Sequence, residues 1–108
     1  MADTYKVLGQ SIPQAGVLDN TYTAASGAVV SSVLVCNQGR NTAKFRISVA
    51  VAGAADTAKQ YIYYDVEVFG NDTFNAVLGL TLAATDVVRC MSDTAGLVSF
   101  NVFGIEVA

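Results

Sequence analysis

The sequence predicts an all-β domain, an antiparallel β-sandwich or jelly roll of about eight strands. Two observations carry that reading. Apolar residues recur at every second position in one segment after another, the period of a strand with one face buried and one in water. Those segments succeed one another at about ten-residue spacings, divided by short polar or glycine-bearing turns and by no convincing helix. At 108 residues the chain has room for one modest core, so residues 1–108 read as a single domain.

Tyr5 to Gln10 opens as a short strand. Pro13, the only proline, cannot donate to a ladder and belongs at an edge or in a loop. A second strand covers Asn20 to Ala25, and Ser26-Gly27 ends it. The stretch Val29 to Val51 reads as a β-hairpin around which the rest can be arranged. Its first arm, Val29 to Asn37, is rich in β-branched residues and apolar on both faces, as a central strand is. Its second arm alternates Phe45, Ile47, Val49 and Val51 with Lys44, Arg46, Ser48 and Ala50. Between them, Asn37 to Thr42 is polar and contains Gly39, where the chain must reverse. Arg40 sits at that tip, and Lys44 and Arg46 project from the outer face, either as a solvated surface or as a dock for an acidic partner.

Residues 52–59, Ala-Gly-Ala-Ala-Asp-Thr-Ala-Lys, suit a loop or a single helical turn that crosses between sheets. In Gln60 to Phe69, Ile62, Tyr64, Val66 and Val68 are expected inside, with Tyr61, Tyr63, Asp65 and Glu67 on the opposite face. Thr73 to Leu82 points Phe74, Ala76, Leu78, Leu80 and Leu82 to one side, and Gly79 marks a candidate bulge. Asp86 to Met91 is a short strand. The last strand, Leu97 to Val107, places Val98, Phe100 and Val102 on one face and Phe103, Ile105 and Val107 on the other, with Gly104 able to accommodate a change of side. The core is expected to include Phe45, Ile47, Val49, Ile62, Tyr64, Val66, Phe74, Leu78, Val98 and Phe100, whose burial depends on register.

Composition narrows the function. Charged residues make up 14% of the chain, against a globular norm of about 25%. A small domain has much surface, so part of this one must be neutral or apolar and suited to burial against neighbours. The net charge of −3 argues against nucleic acid as a partner. No membrane span or leader pattern is evident. Histidine is absent, no phosphate loop or metal-ligand spacing occurs, and no cofactor or metal is expected. The best catalytic candidate is the carboxylate pair Asp65 and Glu67 beside Tyr61 and Tyr63. Carboxylates two residues apart on a strand are common, so an enzyme is disfavoured. Cys36 and Cys90 are expected to be free thiols.

Several segments in order resemble a group of small virion proteins of tailed bacteriophages, many from phages of aquatic bacteria. They are Tyr5-Lys6-Val7-Leu8-Gly9-Gln10, Val35-Cys36-Asn37, Phe45-Arg46-Ile47, Tyr63-Tyr64-Asp65 and Asn71-Asp72-Thr73. Gly79-Leu80-Thr81-Leu82, Ala84-Thr85-Asp86-Val87-Val88 and Ser99-Phe100-Asn101-Val102-Phe103-Gly104-Ile105-Glu106 complete the set, which spans nearly the whole chain. The resemblance implies a non-enzymatic structural role in the particle, made in the host cytoplasm. A capsid cement or decoration protein contacting the major capsid protein is the leading expectation. A tail, baseplate or fibre-associated component contacting tail proteins is the alternative. A carbohydrate- or receptor-binding module, carried by Tyr61, Tyr63, Asp65 and Glu67, is a reading of another class. A homo-oligomer is expected, a trimer by analogy with capsid cement proteins. Its contacts would use residues 2–10, through Tyr5 and Val7, and the last strand, through Phe103 and Ile105.

Overall fold

The computed structural model describes residues 3–107. Ala2, the first residue of the expected N-terminal contact segment, lies outside them. The strands are β1 (Thr4–Ser11), β2 (Asp19–Thr23), β3 (Gly27–Asn37), β4 (Ala43–Ala50), β5 (Tyr61–Val68), β6 (Asp72–Leu82), β7 (Val87–Ser92) and β8 (Val98–Val107). They form two four-stranded sheets, sheet A in the order β1-β8-β3-β6 and sheet B in the order β2-β7-β4-β5. Every strand pairing is antiparallel. Each connection except that from β4 to β5 passes from one sheet to the other, which is the jelly-roll arrangement.

The pairings nest about Ala55. Thr4 lies opposite Glu106, Asp19 opposite Cys90, Ala28 opposite Leu82 and Ala43 opposite Val68. The chain is therefore one long hairpin, bent three times along each arm and rolled until β8 also pairs with β3 and β7 with β4. This corrects the reading of Val29 to Val51 as a hairpin. Its arms lie in opposite sheets, and residues 38–42 form an arch over the end of the sandwich. The buried Asn37 holds the arch. Its Nδ2 donates to the Asn41 and Val68 carbonyls at 2.8 and 3.1 Å, and its Oδ1 accepts from the Gly39 N–H at 2.9 Å. Gly70, in the next arch, lies so close that a Cβ there would sit 2.1 Å from the Arg40 carbonyl oxygen. Only glycine lets these two arches cross at that distance.

Residues 52–59 do not change sheet. They belong to the link joining β4 to β5 within sheet B, which carries two single 3-10 turns, Val51–Gly53 and Ala58–Gln60. Asp86 ties this link to the β6–β7 turn, accepting from the Ala52 N–H and the Ala83 N–H, each at 2.9 Å. Arg89 adds two bonds to the Gly53 and Ala54 carbonyls.

The core lies between the sheets. Phe45 is fully buried and touches aromatic rings from both: Phe74 of β6 at 5.3 Å between centroids, Phe100 of β8 at 6.2 Å and Tyr63 of β5 at 6.1 Å. Ile47, Val98 and Phe100 are buried as expected, and Val49, Val66, Phe74 and Leu78 pack partly buried against them. Ile62 and Tyr64 are not core residues, at 40% and 58% exposed. β5 carries two extra residues relative to β4, since Val66 and Tyr63 oppose Phe45 and Ile47, and Tyr61 opposes Ser48. Asp65 takes the left-handed conformation (φ 53°) at one of these bulges. Each bulge shifts the alternation by one, turning Tyr63 inward and Tyr64 outward.

The alternation in β8 is unbroken, so Gly104 does not mediate a change of side. It permits close packing instead, because a Cβ there would lie 2.1 Å from the Val29 carbonyl oxygen. Ser31 is an extra residue of β3 opposite β8, and it moves the inward set from Ala28 and Val30 to Val33 and Val35. The register between β3 and β6 also shifts across Leu78-Gly79, where the glycine suggested a bulge.

Phe45→Ala should cost about 3–5 kcal/mol, the usual loss for a buried phenylalanine, because both sheets lose a shared ring contact. Urea unfolding followed by circular dichroism measures it. A loss below about 1 kcal/mol would contradict this role for the ring.

Candidate interaction surface

The two outer faces of the sandwich differ in chemistry. Register fixes which side chains share the outer face of sheet A. Tyr5, Ile105, Val29 and Thr81 form one row across the four strands. Val7, Phe103, Ser32 and Val77 form the next, and Gln10, Asn101, Leu34 and Asn75 a third. Ser99, Cys36 and Thr73 follow at the arch end. None of these residues is charged. The apolar side chains concentrate in the first two rows, with uncharged polar groups beyond them. Tyr5 is 80% exposed and Val77 75%, so neither serves the core. The charged residues of β1 and β8, Lys6 and Glu106, lie off this face. They pair at 2.8 Å, and the Tyr22 hydroxyl donates to Glu106 at 3.0 Å. Burial, followed by that contact, pushes the Tyr22 hydroxyl up to about 12.

Of the residues expected to touch a partner, Tyr5, Val7, Phe103 and Ile105 are thus brought together, cross-strand neighbours on adjacent strands. Val29, Leu34 and Val77 join them. The two-sided apolar pattern of β3 read as a strand buried on both faces, so Val29 and Leu34 were not singled out from it, and Val77 stood alone among polar neighbours and glycine at the odd positions of β6.

Sheet B carries the charge. Lys44, Arg46, Arg89 and Glu67 face outward from β4, β7 and β5, with Asp65 at the bulge. Arg46 grips Asp65 with Nε to Oδ1 at 2.7 Å and Nη2 to Oδ2 at 3.2 Å, and its guanidinium lies 3.9 Å from the Tyr64 ring centroid. That contact holds the Asp65 carboxyl below its ordinary range and the guanidinium above its own. Glu67 lies opposite Lys44. Tyr61 sits edge-on to Tyr64, and its hydroxyl donates to Asp56 at 2.9 Å. The expected constellation of Tyr61, Tyr63, Asp65 and Glu67 is therefore not assembled. Tyr63 packs inward on Phe74, and Asp65 is occupied by Arg46. Tyr64, expected inside, takes the central place. Arg40 is exposed on the β3–β4 arch, away from both faces.

Two open clefts flank the sandwich. One, of about 430 Å³, runs along Gln10, Ser11 and Ile12 beside Ser99 and Asn101. The other, of about 420 Å³, lies among Val49, Val51, Ala54, Lys59 and Gln60. Among the described residues, no group of three His, Cys, Asp or Glu side chains could hold a metal ion. Cys36 and Cys90 are free thiols. Cys36 lies on the outer face of sheet A, while Cys90 is buried in the core, where desolvation pushes its thiol up to about 12.

Fold and surface together define an eight-stranded jelly roll with one uncharged and one ion-paired outer face. No protein-family model, curated protein or solved structure matches the chain.

Three carboxylates are held below their ordinary range: Asp65 by Arg46, Asp86 by backbone N–H groups of Ala52 and Ala83, and Glu106 by Lys6 and Tyr22. Groups depressed on folding contribute stability that is present above their unfolded pKa of about 4 and lost as pH falls through the folded value. The melting temperature should therefore change little from about pH 7 to pH 5 on their account and fall steadily below about pH 4. Replacing Asp86 with Asn should weaken that acid dependence. Thermal melts across this range check it, and an acid limb unchanged in the Asn variant would contradict it.

Proposed function

We propose that this chain is a non-enzymatic structural component of a tailed-bacteriophage virion, serving as a capsid cement or decoration protein. The observation that carries the reading is the uncharged outer face of sheet A. An exposed, uncharged sheet face of this size suits permanent cover by protein, as the subunit contacts of an assembly component do. The sequence resemblance to small phage virion proteins supplies the particle. Jelly rolls are used in viral capsid and lectin domains, which adds a fold-level analogy. The constellation that favoured a sugar-binding module is dispersed, so cement remains ahead of carbohydrate recognition. The protein is made in the host cytoplasm, and its two free thiols suit that compartment. It works as a homo-oligomer seated on other virion proteins, first among them the major capsid protein.

Quantitative mass spectrometry of purified particles of the phage that encodes the chain should find it at a copy number comparable with the major capsid protein. A copy number far below the shell protein's would move it to the tail. Its absence from the particle would overturn the reading.

A further inference from the structure

We propose that the outer face of sheet A is the contact between two copies of this chain, packed face to face. This goes beyond the structural role above and stands whether or not the chain is found in a virion. Three features favour a second copy as the occupant.

Area is the first. Adjacent strands lie about 4.8 Å apart and same-face residues about 6.8 Å apart along a strand. Three rows across four strands and a fourth across three therefore present roughly 500 Å² in projection, and side-chain relief adds accessible area. A pair covers at least the total of about 1,000 Å² at which specific interfaces begin.

Charge is the second. An isologous contact brings each group near its own copy, so any charge near the two-fold axis meets a like charge. This face has none, whereas the outer face of sheet B carries Lys44, Arg46, Asp65, Glu67 and Arg89. Between identical copies, self-contact through sheet A meets no side-chain charge and needs none. The distribution also follows the anatomy of an interface, with an apolar centre beside uncharged polar positions.

Shape is the third. Twisted sheets pack aligned at about −30° because both partners twist in the same sense. A second copy brings the same twist, as sheet B already does on the inner side. Such a contact closes at two, which differs from the trimer expected by analogy.

Sedimentation equilibrium of the purified full chain, from about 1 to 100 µM, reads this directly, in the range of weak specific pairs. The expected species is a dimer. Val77→Lys and Val7→Lys, both at exposed positions, should each raise the dissociation constant at least about 100-fold by placing two lysines in the contact. Circular dichroism should show the β-structure retained. Met91→Lys, on the outer face of sheet B, should leave the dimer intact. A wild-type monomer throughout, a trimer, a dimer that survives both sheet A variants, or one dissociated only by Met91→Lys would each overturn the proposal. A dimer that is absent from virions would leave it standing and remove the virion role instead.

Discussion

Every strand of this protein is held by the partner equidistant from Ala55, and the rest of the structure follows from that nested pairing. Only β4 and β5 are joined by a connection within one sheet. β3 with β6, β2 with β7 and β1 with β8 are progressively more distant in sequence. Closing such loops one inside another limits the entropy lost at each step, because once an inner pair has formed the next closes over a short effective loop. The nesting also fixes the faces. Once β4 is paired, the side of the sandwich on which each residue of its neighbours lies is determined, except where a bulge intervenes. Phe45 then joins the two sheets by touching aromatic rings from each.

Alternation made most of the strands legible. In β6 and the first half of β8 the apolar set read from the sequence is the set that faces the core. In β4 that holds for Phe45, Ile47 and Val49, whereas Val51 lies past the strand end in a 3-10 turn and is 70% exposed, and Ser48 and Ala50 of the opposite set are buried. Alternation states which face a side chain takes and does not state which strand lies beside it. A five-residue polar turn serves equally well as a hairpin loop or as an arch between sheets, so Val29 to Val51 looked like a hairpin. The buried Asn37, whose three hydrogen bonds secure the arch, gave no sign in the sequence that it would be internal.

β5 shows the second limit. Gln60 to Phe69 alternates without a break, with both carboxylates on the Tyr61 and Tyr63 side, so the pattern chose one face for the whole strand and gave no sign that bulges would exchange the faces within it. The bulges decided it, and the left-handed Asp65 is a residue type that tolerates that conformation. The candidate interaction surface was half legible for a related reason. Tyr5, Val7, Phe103 and Ile105 were identifiable as apolar residues near the termini with no core to serve. Val29 and Leu34 were hidden because apolarity on both sides of β3 resembled a strand buried on both faces. Only the sheet order reveals that these residues share one surface without a charge, and that the Arg46–Asp65 pair lies on the opposite face of the sandwich.

That asymmetry marks the outer face of sheet A as the one suited to cover by a second copy, and hydroxyl-radical footprinting of side chains tests this most directly. Tyr5 and Phe103 report on the outer face of sheet A, Tyr64 and Met91 on that of sheet B. On going from dilute to concentrated protein, oxidation of Tyr5 and Phe103 should fall while that of Tyr64 and Met91 stays constant. Protection of Tyr64 and Met91 with Tyr5 and Phe103 unchanged would contradict it.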